Sequence, residues 1–239
     1  MGLDVALVLA GLAVLAGSAV QGGVGFGMTL IATPCVMLAD PSLMPGSLLM
    51  TAAVLALFSV ARDRHEVDWP ALGWAFAGRA PGTAVGAGLV AVASPRLLGA
   101  LVGAAVLGGV LVTARTVEIP IRRSSLVVAG AVAGVSATTT SIGGPPLALL
   151  YQHTPGPRMR GTLGVFFLAG ALLSLLALAV TRELELREVL AGGFMLPFMA
   201  AGFSLSTPLR RRLDAGWLRH AVLLVAGVSA IVLLARSIL

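Results

Sequence analysis

An all-α integral membrane fold is what this sequence predicts, and three observations predict it. Hydrophobic residues fill 58% of the 239 positions and charged residues 11%, with a mean hydropathy of +1.00. A soluble domain carries roughly a quarter charged residues to solvate its surface, so this chain is too apolar to cover a globule in water. Six apolar segments approach the ~20 residues that a helix needs to cross a hydrocarbon core. Two further apolar regions are each split by a break rich in glycine, serine or threonine.

The same composition excludes other classes. One cysteine, Cys35, cannot pair within the chain, so there is no disulfide scaffold, and the 30 glycines follow no fixed period. The net charge of +6 comes from sixteen arginines and no lysine. They sit mainly in short gaps between apolar runs, where they act as membrane-topology signals rather than as a nucleic-acid surface. Met1-Gly2-Leu3-Asp4 lacks the basic start of a secretory signal, so the N-terminus is expected to belong to the mature fold.

In chain order, the first split region runs 5–20 and 28–39 around Gln21–Gly27, each piece too short to cross comfortably. Crossings are expected at 43–61, 70–93 and 97–114. The second split region runs 125–137 and 145–152 around Thr138–Gly144, and crossings at 161–180, 189–206 and 217–235 follow. Each split region is either one crossing with a long tail or a re-entrant hairpin of two half-helices. Eight simple crossings divide the arginines eight to seven. Two hairpins and six crossings place Arg62, Arg64, Arg115, Arg122, Arg123, Arg158, Arg160, Arg210, Arg211, Arg212 and Arg219 on one face. Only Arg96, Arg182, Arg187 and Arg236 then fall opposite. That bias selects the hairpins, with the arginine-rich face cytoplasmic and both termini periplasmic or extracellular.

The chain matches itself at a nearly constant offset. Met44-Pro45-Gly46-Ser47-Leu48 faces Met159-Arg160-Gly161-Thr162-Leu163, Pro81 and Gly86 face Pro197 and Gly202, and Gly17 and Gly27 face Gly134 and Gly144. The expected organisation is one transmembrane domain made of two repeats, 1–120 and 121–239. Each holds one broken re-entrant hairpin plus three transmembrane helices. Three crossings are an odd number, so the second repeat is inverted relative to the first, as in secondary transporters whose substrate lies between discontinuous helices.

The breaks carry the expected chemistry. The second reads Ser136-Ala137-Thr138-Thr139-Thr140-Ser141-Ile142-Gly143-Gly144-Pro145-Pro146, and proline after glycine marks a helix start inside the membrane. Free N–H groups and the positive end of the dipole favour an anion there, with hydroxyls adding donors. Thr138, Thr139, Thr140, Ser141, Gly143 and Gly144 are therefore candidate ligands, with Gln21, Gly23, Gly25 and Gly27 of the first break opposite. Against this stands close packing by small residues, with Ser and Thr bonded back to the preceding turn.

Arg79 lies ten residues beyond Trp69, roughly 15 Å deep at 1.5 Å per residue. A guanidinium at that depth is either an anion ligand or a structural clamp. Pro81 and Pro197, in equivalent helices, are expected to interrupt them and act as hinges. No carboxylate lies deep in a crossing, so cation coordination has no candidate. The three histidines His65, His153 and His220 are not spaced as metal ligands. No cofactor, metal site or acid–base–nucleophile constellation is visible, which argues against an enzyme.

The two stretches Gly17–Pro34 and Gly134–Tyr151 resemble the paired glycine-rich loops of the TauE/SafE-type sulfite and organosulfonate transporters. Ile142-Gly143-Gly144-Pro145-Pro146-Leu147 is similar to a glycine-glycine-proline variant of the second loop. In the first, Gly25-Phe26-Gly27-Met28 stands where a glycine triplet is common. The resemblance implies movement of sulfite, thiosulfate, sulfoacetate or related sulfonates and carboxylates across the bacterial inner membrane, driven by the proton-motive force. The expected partners are a small anionic substrate and membrane lipid, not nucleic acid. A passive anion channel and a homodimer stay open.

Overall fold

The computed structural model describes residues 3–114 and 119–213. Among them there are nine α-helices and no strand. They are α1 (Leu3–Val24), α2 (Met28–Ala39), α3 (Gly46–Asp63), α4 (Trp69–Val92), α5 (Pro95–Ala114), α6 (Arg123–Thr140), α7 (Gly144–Tyr151), α8 (Gly156–Val180) and α9 (Leu186–Leu213). Five of these, α1, α3, α4, α8 and α9, contain stretches long and apolar enough to cross a membrane. The expected crossing at 217–235 and the termini lie outside the described residues, as do Arg115, Arg219, His220 and Arg236.

Three expectations are corrected. First, α1 has 22 residues and is long enough to cross by itself, because it runs on through Gln21, Gly22, Gly23 and Val24. With no water to compete for backbone groups, glycine alone does not break a membrane helix. The break comes only where the backbone turns left-handed, at Gly25 (φ 106°) and Gly27 (φ 119°). Second, Thr138, Thr139 and Thr140 form the last turn of α6, and the second break shrinks to Ser141–Gly143. Their hydroxyls are compatible with helix because they bond within it or across it. Third, α4 and α9 continue through Pro81 and Pro197 without interruption. Each proline deletes one backbone donor while the neighbouring turns keep the helix intact.

In lipid the surrounding solvent is as apolar as leucine, so close backbone approach holds helices together better than apolar burial does. The α4/α6 pair is built on this. A Cβ added at Gly78 would lie 1.9 Å from the Val127 carbonyl oxygen, and one at Gly130 would lie 1.9 Å from that of Ala75. Neither site admits a side chain. The pair α1/α9 approaches in the same way at Gly202, where an added Cβ would be 2.2 Å from the Leu15 carbonyl oxygen.

These contacts fix directions. Gly11 lies on Phe198 and Gly22 on Ser206, so α1 runs alongside α9 in the same sense. Gly130 lies on Ala75 and Gly134 on the Arg79 carbonyl, so α6 and α4 run together likewise. Asp40, just after α2, pairs with Arg187 at the start of α9 at 2.7 Å. The hairpin α1–α2 therefore enters and leaves at one end of the bundle. The Tyr151 hydroxyl, at the end of α7, donates to Asp68, just before α4, at 3.3 Å. The hairpin α6–α7 enters and leaves at the other end, since α3 crosses between the two.

Candidate functional site

The two hairpin tips meet near the middle of α4. At the first, Gly25 N–H closes the end of α1 by donating to the Gln21 carbonyl at 2.7 Å. The buried Gln21 side chain accepts from Met28 N–H at 3.0 Å and so caps α2. Gln21 also lines a cavity between the tips. At the second, Ser141 takes a left-handed conformation (φ 61°), unusual for a residue with a side chain. Ser141 N–H donates to the Ala137 carbonyl at 2.8 Å, and its hydroxyl donates to the Pro45 carbonyl at 3.0 Å, anchoring the tip to the start of α3. Beyond it, Pro145 and Pro146 bring no N–H to the first turn of α7. The backbone donors at this helix start are therefore those of Gly143 and Gly144.

Arg79 is 2% exposed. Its Nη2 donates to the Ser174 hydroxyl of α8 at 3.3 Å, and Ser174 in turn shares a hydrogen bond with the Thr138 hydroxyl of α6 at 2.8 Å. The guanidinium carbon stands 5.2 Å from the centre of the Phe166 ring. Nε has no hydrogen-bond partner. Nη1 faces Gly143, where an added Cβ would be 3.1 Å away, and a Cβ at Gly170 would be 2.7 Å from Cζ. The glycines make room for the head group, and among the described residues no carboxylate pairs with it. A buried cation in hydrocarbon without a counter-ion, with a free donor, is arranged to receive an anion.

Arg79 lines this small cavity of about 30 Å³, shared with Gln21, Gly27 and Thr29 from one tip and with Ser141, Gly143 and Gly144 from the other. That volume accommodates a water-sized body, so a ligand of several heavy atoms enters only if the tips move apart. Phe26, Phe167, Leu49 and Ala171 complete an apolar wall.

Of the residues expected from sequence, six therefore share this cavity: Gln21, Gly27, Arg79, Ser141, Gly143 and Gly144. Five are placed elsewhere. Thr138 stands behind Arg79 through Ser174. Thr139 bonds to the carbonyls of Val135 and Ser136 at 2.9 and 3.3 Å and faces a different cavity beside Met44 and Leu98. Thr140 donates to the Ser136 carbonyl at 2.7 Å. Gly23 is inside α1, and Gly25 packs on the Arg160 side chain. Sequence reasoning missed Thr29, Phe26, Phe167 and Ser174. Ser174 did carry a signal, as an isolated hydroxyl in the apolar run of α8.

Each end of the bundle is fastened by charge. Asp68 accepts from Arg158 at 2.7 Å, from the Tyr151 hydroxyl and from Ala71 N–H. Burial alone would raise its carboxyl, but these donors outweigh it and hold Asp68 below its ordinary value. Asp63 receives Arg160 at 2.9 Å. At the opposite end the Asp40–Arg187 pair is joined by Glu188, which accepts from Gly46 N–H at 2.8 Å and caps α3. Among the described residues no three histidine, cysteine or acidic side chains are grouped to hold a metal.

A family model described as "Sulfite exporter TauE/SafE" matches residues 9–233. No curated protein and no solved structure is similar enough to match.

Proposed function

Because the chain belongs to the TauE/SafE sulfite exporter family, we propose that this multi-pass membrane protein is a secondary transporter whose substrate, a small sulfur oxyanion, binds at Arg79 between the hairpin tips. The observation that carries the reading is a guanidinium 2% exposed, with its Nε unpartnered and no carboxylate beside it, in the lining of a cavity shared by both tips. Guanidinium donors match oxyanions in shape and charge. The helix start at Gly143 and Gly144 adds backbone donors of the same sign.

The movement is alternating access between two inverted repeats. Its support is the packing: the first hairpin enters from the end marked by Asp40 and Arg187, the second from the end marked by Asp68 and Arg158. Pro81 and Pro197, each deleting a backbone bond within a long helix, serve as points of flexure. The protein sits in the bacterial inner membrane with the end bearing Arg62, Arg64, Arg158 and Arg160 facing the cytoplasm. Binding and flux, rather than catalysis, are the activity.

The test is uptake of labelled sulfite into proteoliposomes by the native chain and by Arg79→Gln. The native chain is expected to show saturable flux. The variant, purified in equal yield, should lose at least about tenfold, the effect of charged hydrogen bonds of ~1.5–3 kcal/mol. Equal flux in both would remove Arg79 from the site.

A further inference from the structure

The cavity between the tips contains one charge. Arg79 is the one lining side chain that is ionised; across from it stand Gln21 of α1, Thr29 of α2, Leu49 of α3, Ser141 beyond α6 and Phe167 of α8. None of these gains or loses a proton near neutral pH. Behind the guanidinium the contacts are hydroxyls, Ser174 and then Thr138, and the Phe166 ring. The acidic side chains that make ion pairs among the described residues, Asp40, Asp63 and Asp68, pair with arginines other than Arg79.

At this depth charge balance selects the ionic form of the ligand. A monoanion neutralises the guanidinium. A dianion would leave a second negative charge without a partner in a low-dielectric surrounding, where an unpaired charge is costly. The hydroxyls of Thr29 and Ser141 can also accept a hydrogen bond from a ligand that keeps an O–H, since Ser141 uses only its donor on the Pro45 carbonyl.

We propose that the site takes a singly charged oxyanion, hydrogensulfite, and rejects the dianions sulfite, thiosulfate and sulfate; this rests on the reading of the cavity as the substrate site. Sulfite accepts one proton from water on the loading side, forming hydrogensulfite, crosses as the monoanion, and returns that proton to water on the far side. Each cycle thus moves one sulfite and one proton together. The protein needs no titrating side chain at the cavity to link the two, because the substrate carries the proton.

The experiment uses the full chain in proteoliposomes, with equal pH on both sides and total labelled sulfite held constant from about pH 6 to about pH 9. Flux is expected to fall by about tenfold per pH unit once the ligand is mostly deprotonated. Competition by methanesulfonate, singly charged throughout, should stay level across the range, while thiosulfate and sulfate at equal concentration should not compete. Sulfite flux that is level with pH, or thiosulfate competing as well as methanesulfonate, overturns the monoanion proposal and leaves Arg79 as the substrate site. Methanesulfonate competition that falls in step with sulfite flux overturns it too, by placing the titration on the protein. Absence of sulfite flux at every pH overturns the substrate-site reading itself.

Discussion

Arg79 and Met195 occupy matching places in the two halves of the chain, at the offset that aligns Pro81 with Pro197. Both are buried in the middle of long, uninterrupted helices. Met195 belongs to an apolar cluster that includes Met28, Val14 and Leu48. Around Arg79 stand Ser174, the Phe166 ring and a glycine tip. The hairpin tips differ in the same way. The first is glycine at both left-handed positions and caps its own helix through Gln21, whereas the second turns at Ser141 and is anchored to another helix through Pro45. The positions that match in sequence therefore differ in chemistry: Arg79 has a methionine counterpart, and the polar contacts around it come from both halves of the chain. On the proposed reading a single anion between the tips requires only one cation, and a second buried guanidinium would repel the first.

The sharpest way to break this comparison is to give the first half the second half's residue. Arg79→Met should insert and purify normally, since methionine fills the equivalent place, but sulfite flux should drop by at least about 100-fold, the loss of two charged hydrogen bonds at ~1.5–3 kcal/mol each. Adding Met195→Arg to that variant should not rescue flux, because position 195 lies in an apolar cluster and does not line the cavity between the tips. Recovery would mean that the two halves are chemically interchangeable. A smaller effect is expected at the tip. Ser141→Ala removes the anchor to Pro45, and flux should fall by about tenfold, a hydrogen bond of ~1 kcal/mol plus misplacement of the neighbouring glycines. Ser141→Gly should lose flux similarly while recovering thermal stability, because glycine adopts a positive φ without strain. Thermal melting beside transport separates the two roles.

The membrane class, the crossings at 43–61, 70–93, 161–180 and 189–206 and the family were legible in the sequence because apolar length and the glycine-rich pair are local signals, whereas the expected crossing at 97–114 is met only by a shorter apolar stretch, Arg96–Leu111. The extent of the breaks was not. Gln21-Gly22-Gly23 reads as a break in any scale calibrated on water, yet in lipid the backbone has no competing partner, and the helix ends at Gly25 only because φ turns positive there. Of the four consecutive hydroxyl residues from Thr138, sequence gives no means of choosing the one that faces the cavity, since helix rotation is fixed by the approach of α6 to α4 through Gly130 and Gly134. Arg79 was legible by its depth. Its orientation depended on Ser174, 95 positions away.

The two ends of the bundle give a milder contrast, testable by pH. Asp68 gathers Arg158, Tyr151 and Ala71 N–H and is held below the ordinary carboxylate value. A depressed carboxyl stabilises the fold above its unfolded value, about 4, and this contribution is lost as pH falls through the lower folded value. Asp68→Asn should therefore lower the melting temperature at neutral pH, and the gap from the native chain should close below about pH 4. A gap that persists unchanged in acid would mean that the clasp works through packing rather than charge. The partner Arg158 is half-exposed, so the effect is expected to be small.

The smallest effect separates residues that look identical in sequence. Thr139 stands between Thr138 and Thr140 in the hydroxyl-rich stretch, but its hydroxyl is committed to the Val135 and Ser136 carbonyls of its own helix, and it faces away from Arg79 toward Met44 and Leu98. Valine has nearly the same shape, and those carbonyls keep their place in the helix without the extra donor. Thr139→Val should therefore leave sulfite flux within about twofold and melting within about 2 °C of the native chain, on a bond worth ~0.5–1 kcal/mol. Thr138→Val, in contrast, removes the hydroxyl that shares a bond with Ser174 and so loosens the support of Arg79. A large loss at Thr139 with none at Thr138 would require α6 to be rotated about its axis from the position that Gly130 and Gly134 fix, and with it the assignment of the cavity to Ser141 and Gly143.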